Sequence, residues 1–165
     1  MLKIEQKLKA MIPLIVSKIN YGFEWIVDEN GNVLASNKNL TSLKGAPQIV
    51  KGTFSCSNNQ LTSLEGAPQI VKGNFYCSNN NLTSLKGAPQ IVKGHCDCSR
   101  NNLTSLEGAP KEVGGDFYCY INNNLTSLEG APKVVGGDFY CNGIVKTFTE
   151  ADVRKVCNVK GKIYL

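Results

Sequence analysis

The sequence predicts an α/β-type solenoid: a right-handed stack of short coils with a parallel sheet along one side. An N-terminal helix and hairpin, and a C-terminal helix and strand, are expected to cap its ends. Three observations predict this. The tetrapeptide Leu-Thr-Ser-Leu begins at Leu40, Leu61, Leu82, Leu103 and Leu125, at intervals of 21, 21, 21 and 22 residues. Each copy continues as Lys/Glu-Gly-Ala-Pro and then reaches an apolar pair such as Ile70–Val71. Each unit also contains a stretch of alternating character, as where Phe75 and Cys77 are interleaved with Asn74, Tyr76 and Ser78. A unit of this size cannot bury its apolar face alone, whereas stacked copies can.

Taken in chain order, residues 1–32 form the expected N-terminal cap. Ile4, Leu8, Met11, Ile15 and Ile19 fall at helical spacing, with Pro13 expected to kink or divide the helix. Phe23–Val27 and Asn32–Leu34 flank the turn-forming Asp28-Glu29-Asn30-Gly31 and read as a hairpin. Residues 33–142 are the repeats. Alternation buries Phe75 and Cys77, Leu82 and Leu85 turn inward at the next corner, and Ala88 and Val92 close the third side. Pro89 and Gly94 supply the bends. The single extra residue of the last unit is placed near Tyr120–Ile121. Residues 143–165 are the second cap. Thr149 is a good N-cap with Asp152 three residues on, Phe148 and Val153 are spaced as a hydrophobic staple, and a helix to about Val156 precedes a strand at Lys162–Leu165.

The unit Phe75-Tyr76-Cys77-Ser78-Asn79-Asn80-Asn81-Leu82-Thr83-Ser84-Leu85 resembles the leucine-rich-repeat pattern Leu-x-Leu-x-x-Asn-x-Leu-x-x-Leu, with Phe and Cys replacing the strand leucines. The resemblance covers about residues 33–142. The short unit ending in Ala-Pro looks like the bacterial effector subclass. The tandem Leu-Thr-Ser-Leu-Glu-Gly-Ala-Pro copies are also similar to repeat proteins of bacteriophages and their hosts. The resemblance implies a stacked asparagine ladder at Asn59, Asn80, Asn101 and Asn123, satisfying backbone groups where each coil leaves the sheet. Asn81 and Asn102 are read as exposed loop residues. In the first unit the ladder position falls on Lys38, which marks a degenerate edge repeat.

Composition narrows the function. With 18 Lys and Arg against 13 Asp and Glu, the net charge of +5 lacks the dense basic stripes of nucleic-acid proteins. The apolar run Met11–Val16 is too short for a secretory core or membrane span, so a cytoplasmic protein with reduced thiols is expected (host cytoplasm, if phage-encoded). The column Cys56, Cys77, Cys98, Cys119 and Cys141 reads as small buried hydrophobes. Adjacent strands set parallel Cβ vectors about 4.8 Å apart, too far for a disulfide, and zinc needs converging ligands. Cys96 interrupts the column Phe54, Phe75, Phe117 and Phe139 and should leave a soft spot. No metal and no cofactor is expected. Nor is an enzyme: the one histidine, His95, lies on an open sheet face opposite to Cys96 and Cys98, and no Walker, Rossmann or zinc-protease motif is present.

Because the units are near-copies, each position forms a column. The column Lys44, Glu65, Lys86 and Glu107 alternates in sign, and Lys51, Lys72 and Lys93 form a basic edge. Variation concentrates on the outward strand positions, which in curved solenoids line the concave binding side. The candidate partner-binding residues are Tyr76, His95, Asp97, Arg100, Asp116, Tyr118, Tyr120 and Tyr140, since Tyr and Arg dominate protein interaction hot spots. The expected role is a non-enzymatic protein-binding scaffold. By the phage-like resemblance, its target would be a host or defence protein. The alternative is capture of a small anionic ligand, such as a nucleotide, by the tyrosines with Arg100 and lysines.

Overall fold

The computed structural model describes residues 23–165. They wind as a parallel β-solenoid of about six turns with two sheets. Sheet A has seven strands in register: Val33–Leu34, Phe54–Ser55, Phe75–Tyr76, Cys96–Asp97, Phe117–Tyr118, Phe139–Tyr140 and Ile163–Tyr164. Sheet B has six: Ile49–Val50, Ile70–Val71, Ile91–Val92, Glu112–Val113, Val134–Val135 and Asn158–Val159. The second sheet was not expected. Its first residue is half-buried or exposed and its second buried in the first five strands, so a β-branched pair suits a short strand with one face on the core.

Inward columns fill the interior. The valines of sheet B, the two corner leucines, the alanine of Gly-Ala-Pro and the sheet A cysteines form one core. Phe54 and Phe75 stack with centroids 6.0 Å apart, and Phe117 and Phe139 approach to 5.3 Å. Cys96, paired between Phe75 and Phe117, interrupts that stack as expected. Burying each ring contributes about 2 kcal/mol. The corners are too tight for most side chains. Gly87 has φ of +92°, and a Cβ there would lie 2.7 Å from the Leu64 carbonyl of the preceding coil.

The asparagine ladder is present with one correction. Asn59, Asn80, Asn101 and Asn122 form it, and Asn123 is exposed. Asn101 accepts the Leu82 amide proton and donates to the carbonyls of Cys77, Cys98 and Ser99. Asn122 accepts from Leu103 and donates to Cys98 and Cys119. The Arg100 amide pairs with the Tyr120 carbonyl and the Ile121 amide with that of Asn142. Register therefore holds through Tyr120–Ile121, and the extra residue falls between Asn122 and Leu125. Vertical pairing fixes the strand exit, so the corner loop absorbs the insertion.

The ends also differ from expectation. The proposed helix over Ile4–Ile19 lies outside the described residues. The expected hairpin is a turn only: Gly31 donates to the Asp28 carbonyl, and Val33–Leu34 pairs in parallel with Phe54–Ser55 instead of folding back. Asp28 holds the turn by accepting from the amides of Asn30 and Asn32. Trp25 covers the first coil, buried and stacked on Phe54 at 5.8 Å. At the other end the helix Glu150–Val156 has the expected Thr149–Asp152 capping box, with Phe148 and Val153 buried. It is the one helix among the described residues, so the α/β description gives way to a β-solenoid. The strand expected at Lys162–Leu165 is Ile163–Tyr164, and Asn158–Val159 precedes it. These two strands extend both sheets as an irregular coil, with the helix in the place of the Leu-Thr-Ser-Leu corner.

The ladder correction is testable by urea denaturation. Asn122→Ala strands one buried amide and two carbonyls and should cost about 3 kcal/mol, whereas Asn123→Ala should stay within about 0.5 kcal/mol of the parent.

Candidate functional site

The outward side of sheet A carries the eight residues singled out from the sequence, and it divides them into different jobs. His95 and Asp116 belong to a second ladder at the strand entrance. Asn32 accepts the amide proton of Thr53, Asn74 that of His95, His95 Nδ1 that of Asp116, Asp116 that of Asp138, and Asp138 that of Lys162. Sequence reasoning missed this ladder because its members are chemically unlike while their role, accepting one proton, is the same. Asp116 Oδ2 also lies 3.2 Å from His95 Nδ1. His95 Nδ1 thus faces both the backbone amide and the carboxylate of Asp116.

Tyr118 and Tyr140 stack with centroids 4.7 Å apart, and Tyr140 and Tyr164 at 4.6 Å, matching the strand repeat. Tyr164 was missed from the sequence, although Ile163–Tyr164 imitates the Phe-Tyr dipeptides; its spacing of 24 from Phe139 obscured the match. Asp97, not Tyr76, lies beside Tyr118, because Tyr76 pairs with Asp97 and Asp97 with Tyr118. The Tyr118 hydroxyl donates to Asp116 Oδ2 at 2.8 Å and the Tyr140 hydroxyl to Asp138 Oδ2 at 3.2 Å. Burial, then the bond to Asp116, push the Tyr118 phenol well above its ordinary value. Burial raises Asp116, but the Asp138 amide, the Tyr118 hydroxyl and His95 together outweigh it and hold the carboxyl below the usual range.

Arg100 and Tyr120 lie at the strand exit, with the guanidinium 6.0 Å from the Tyr120 ring centroid and the Tyr120 ring edge-on to Tyr118 at 6.3 Å. Arg100 occupies a left-handed column: Asn37, Asn58, Asn79, Arg100, Ile121 and Gly143 all have φ between 52° and 66°. Asn and Gly tolerate this region; Arg, and above all β-branched Ile, do so at a cost. The neighbouring Ser57 and Ser99 are buried. Ser57 and Ser78 hydroxyls bond each other at 3.0 Å, and Asp97 accepts both the amide and the hydroxyl of Ser99.

Elsewhere the chemistry is sparse. The seven cysteines are buried and unbridged, and among the described residues no three His, Cys, Asp or Glu side chains converge as a metal site requires. Burial pushes Cys56 up to about 12 and Cys157 to about 11. Lys86 and Glu107 meet at 3.1 Å, the one pair of the alternating column that closes among the described residues. A cleft of about 570 Å³ opens between the last regular corner and the helix, where Lys133, Lys146 and Lys155 surround an apolar floor of Leu128, Phe148 and Val156. No described helix is long and apolar enough to cross a membrane. No family model, curated protein or solved structure matches the chain at a significant level.

Two outcomes follow from this geometry. Cys56 holds its proton in the folded chain to about pH 12 but releases it near 9 when unfolded. Between those values the unfolded state binds fewer protons, so stability falls as pH rises, by up to about 1.4 kcal/mol per unit per thiol. Below pH 9 the contribution is constant. Melting temperatures from pH 7 to 11 should decline less steeply for Cys56→Ala than for the parent. Separately, Arg100→Asn and Ile121→Asn place a tolerant residue in the left-handed column, and each should raise stability by about 1 kcal/mol in urea titrations.

Proposed function

We propose that this chain is a non-enzymatic scaffold of the short leucine-rich-repeat type that binds another protein through the outward side of sheet A. One observation carries the reading. Along that face the outward strand column passes from Leu34, Ser55, Tyr76 and Asp97 to a continuous stack of Tyr118, Tyr140 and Tyr164, joined by Tyr120 and Arg100. Stacking alone does not require the change, since Leu34, Ser55, Tyr76 and Asp97 are paired in the same register. Rigid tyrosines present a large contact area at little entropic cost. Arg100 stands at the strand exit of this face, its guanidinium 6.0 Å from the Tyr120 ring centroid.

A catalytic role has less support. The His95 ring is tied into the ladder through Nδ1 and faces away from the thiols, which are buried. The similarity of the Leu-Thr-Ser-Leu-Glu-Gly-Ala-Pro units to phage and host repeat proteins suggests the kind of target, a host or defence protein in the cytoplasm. The test begins with capture of the partner and its identification by mass spectrometry. Affinity is then measured for two sets of variants. Tyr118→Ala and Tyr140→Ala should each weaken binding by about 2 kcal/mol. Lys72→Ala and Lys93→Ala, on the exposed edge, should matter modestly and mainly at low salt. The reverse pattern would move the site to the lysine edge.

A further inference from the structure

We infer that the tyrosine face selects a cationic, donor-rich partner: an arginine- or lysine-bearing segment of another protein. The inference rests on the sheet A reading above and follows from where its protons are. The Tyr118 hydroxyl proton is committed to Asp116 and the Tyr140 hydroxyl proton to Asp138. Each phenol oxygen is left with lone pairs alone to offer. The carboxylates add no donor. Asp116 and Asp138 use Oδ1 for the amides of Asp138 and Lys162, and Asp97 uses Oδ1 for Ser99. His95 Nδ1 is engaged by Asp116, through its backbone amide and its carboxylate. From Asp97 to Asp138 the face is a row of acceptors with three carboxylates, on a chain whose net charge is +5.

Among the described residues, Arg100 beside Tyr120 and Lys162 beside Asp138 bring positive charge to the margins of this row. The tyrosine rings are stacked face to face, so their faces are largely used and the hydroxyl rim is what a partner meets. A guanidinium, with five N–H groups in a planar fork, can donate to a carboxylate and a phenol oxygen together. A phosphate or a carboxylate would bring charge repulsion and no proton. Complementarity therefore favours a basic protein segment over a nucleotide or nucleic acid at this face.

The ladder supplies its own control. Asn32 and Asn74 hold the same column as Asp116 and Asp138 and accept the next amide through Oδ1. Asp116→Asn/Asp138→Asn can thus keep the ladder bonds while removing two charges and turning an N–H toward each phenol. Asp97→Asn, outside the ladder, is the second variant should the pair fold poorly. The labelled full chain is titrated with three short synthetic peptides that alternate glycine with arginine, glutamine or glutamate, and with adenosine monophosphate, following backbone amide shifts by NMR. The arginine peptide should shift the amides of Asp97, Tyr118 and Tyr140 and bind roughly tenfold tighter than the glutamine peptide. The glutamate peptide and the nucleotide should leave those amides unmoved. Either set of variants should erase the arginine preference with the melting temperature retained. If the glutamine or glutamate peptide or the nucleotide binds this face as well as the arginine peptide, the partner class is wrong while the docking face stands. If no probe perturbs sheet A, or the arginine peptide binds elsewhere, both readings fall.

Discussion

Peptide groups in each coil are satisfied mainly by the next coil, and this vertical pairing is the constraint on which everything else rests. The amides of Cys56, Cys77, Cys98 and Cys119 donate to the carbonyls of Tyr76, Asp97, Tyr118 and Tyr140 at 2.8–2.9 Å. A buried peptide group cannot be left unpaired without a cost near that of a lost hydrogen bond. The backbone must therefore repeat its path whatever side chains it carries. The left-handed column shows the strength of that demand: Ile121 adopts φ of 52° in step with Asn58 at 56°, although nothing in its own side chain favours it.

Where side chain and backbone demand coincide, the sequence was easy to read. The period, the inward Phe, Cys, Leu and Ala columns, the Thr149 cap and most of the asparagine ladder follow from residue types that repeat because one environment repeats. The failures have a common cause. Asn122 and Asn123 are chemically identical neighbours, and only the pairing of Ile121 with Asn142 reveals which one stays in register. The ladder through Asn74, His95, Asp116 and Asp138 looked like variation because amide, imidazole and carboxylate share an acceptor and little else. The second sheet was hidden because a two-residue strand such as Ile91–Val92 is too short to show any alternation.

The same comparison separates the candidate site into constrained and free positions. At the strand entrance Asn32, Asn74, His95, Asp116 and Asp138 each accept the next coil's amide proton, so a histidine or an aspartate there says little by itself about binding. At the next outward position no such demand exists, as Leu34, Ser55, Tyr76, Asp97 and Tyr118 all fit one register. The tyrosines stand in that unconstrained column, which makes their accumulation in the last coils more informative than the appearance of a histidine or an aspartate.

The two columns are nevertheless coupled. A carboxylate at the entrance can satisfy the next amide with one oxygen and hold a phenol with the other, as Asp116 does for Asp138 and Tyr118. An asparagine there could accept the amide equally well, but it would meet the phenol with a donor. The choice of aspartate is thus neutral for the ladder and decisive for the surface. It fixes the tyrosine hydroxyl, leaves its oxygen as an acceptor, and places negative charge beside it. Surface chemistry is in this way written into positions whose first duty is structural, by selecting among acceptors that the fold accepts alike.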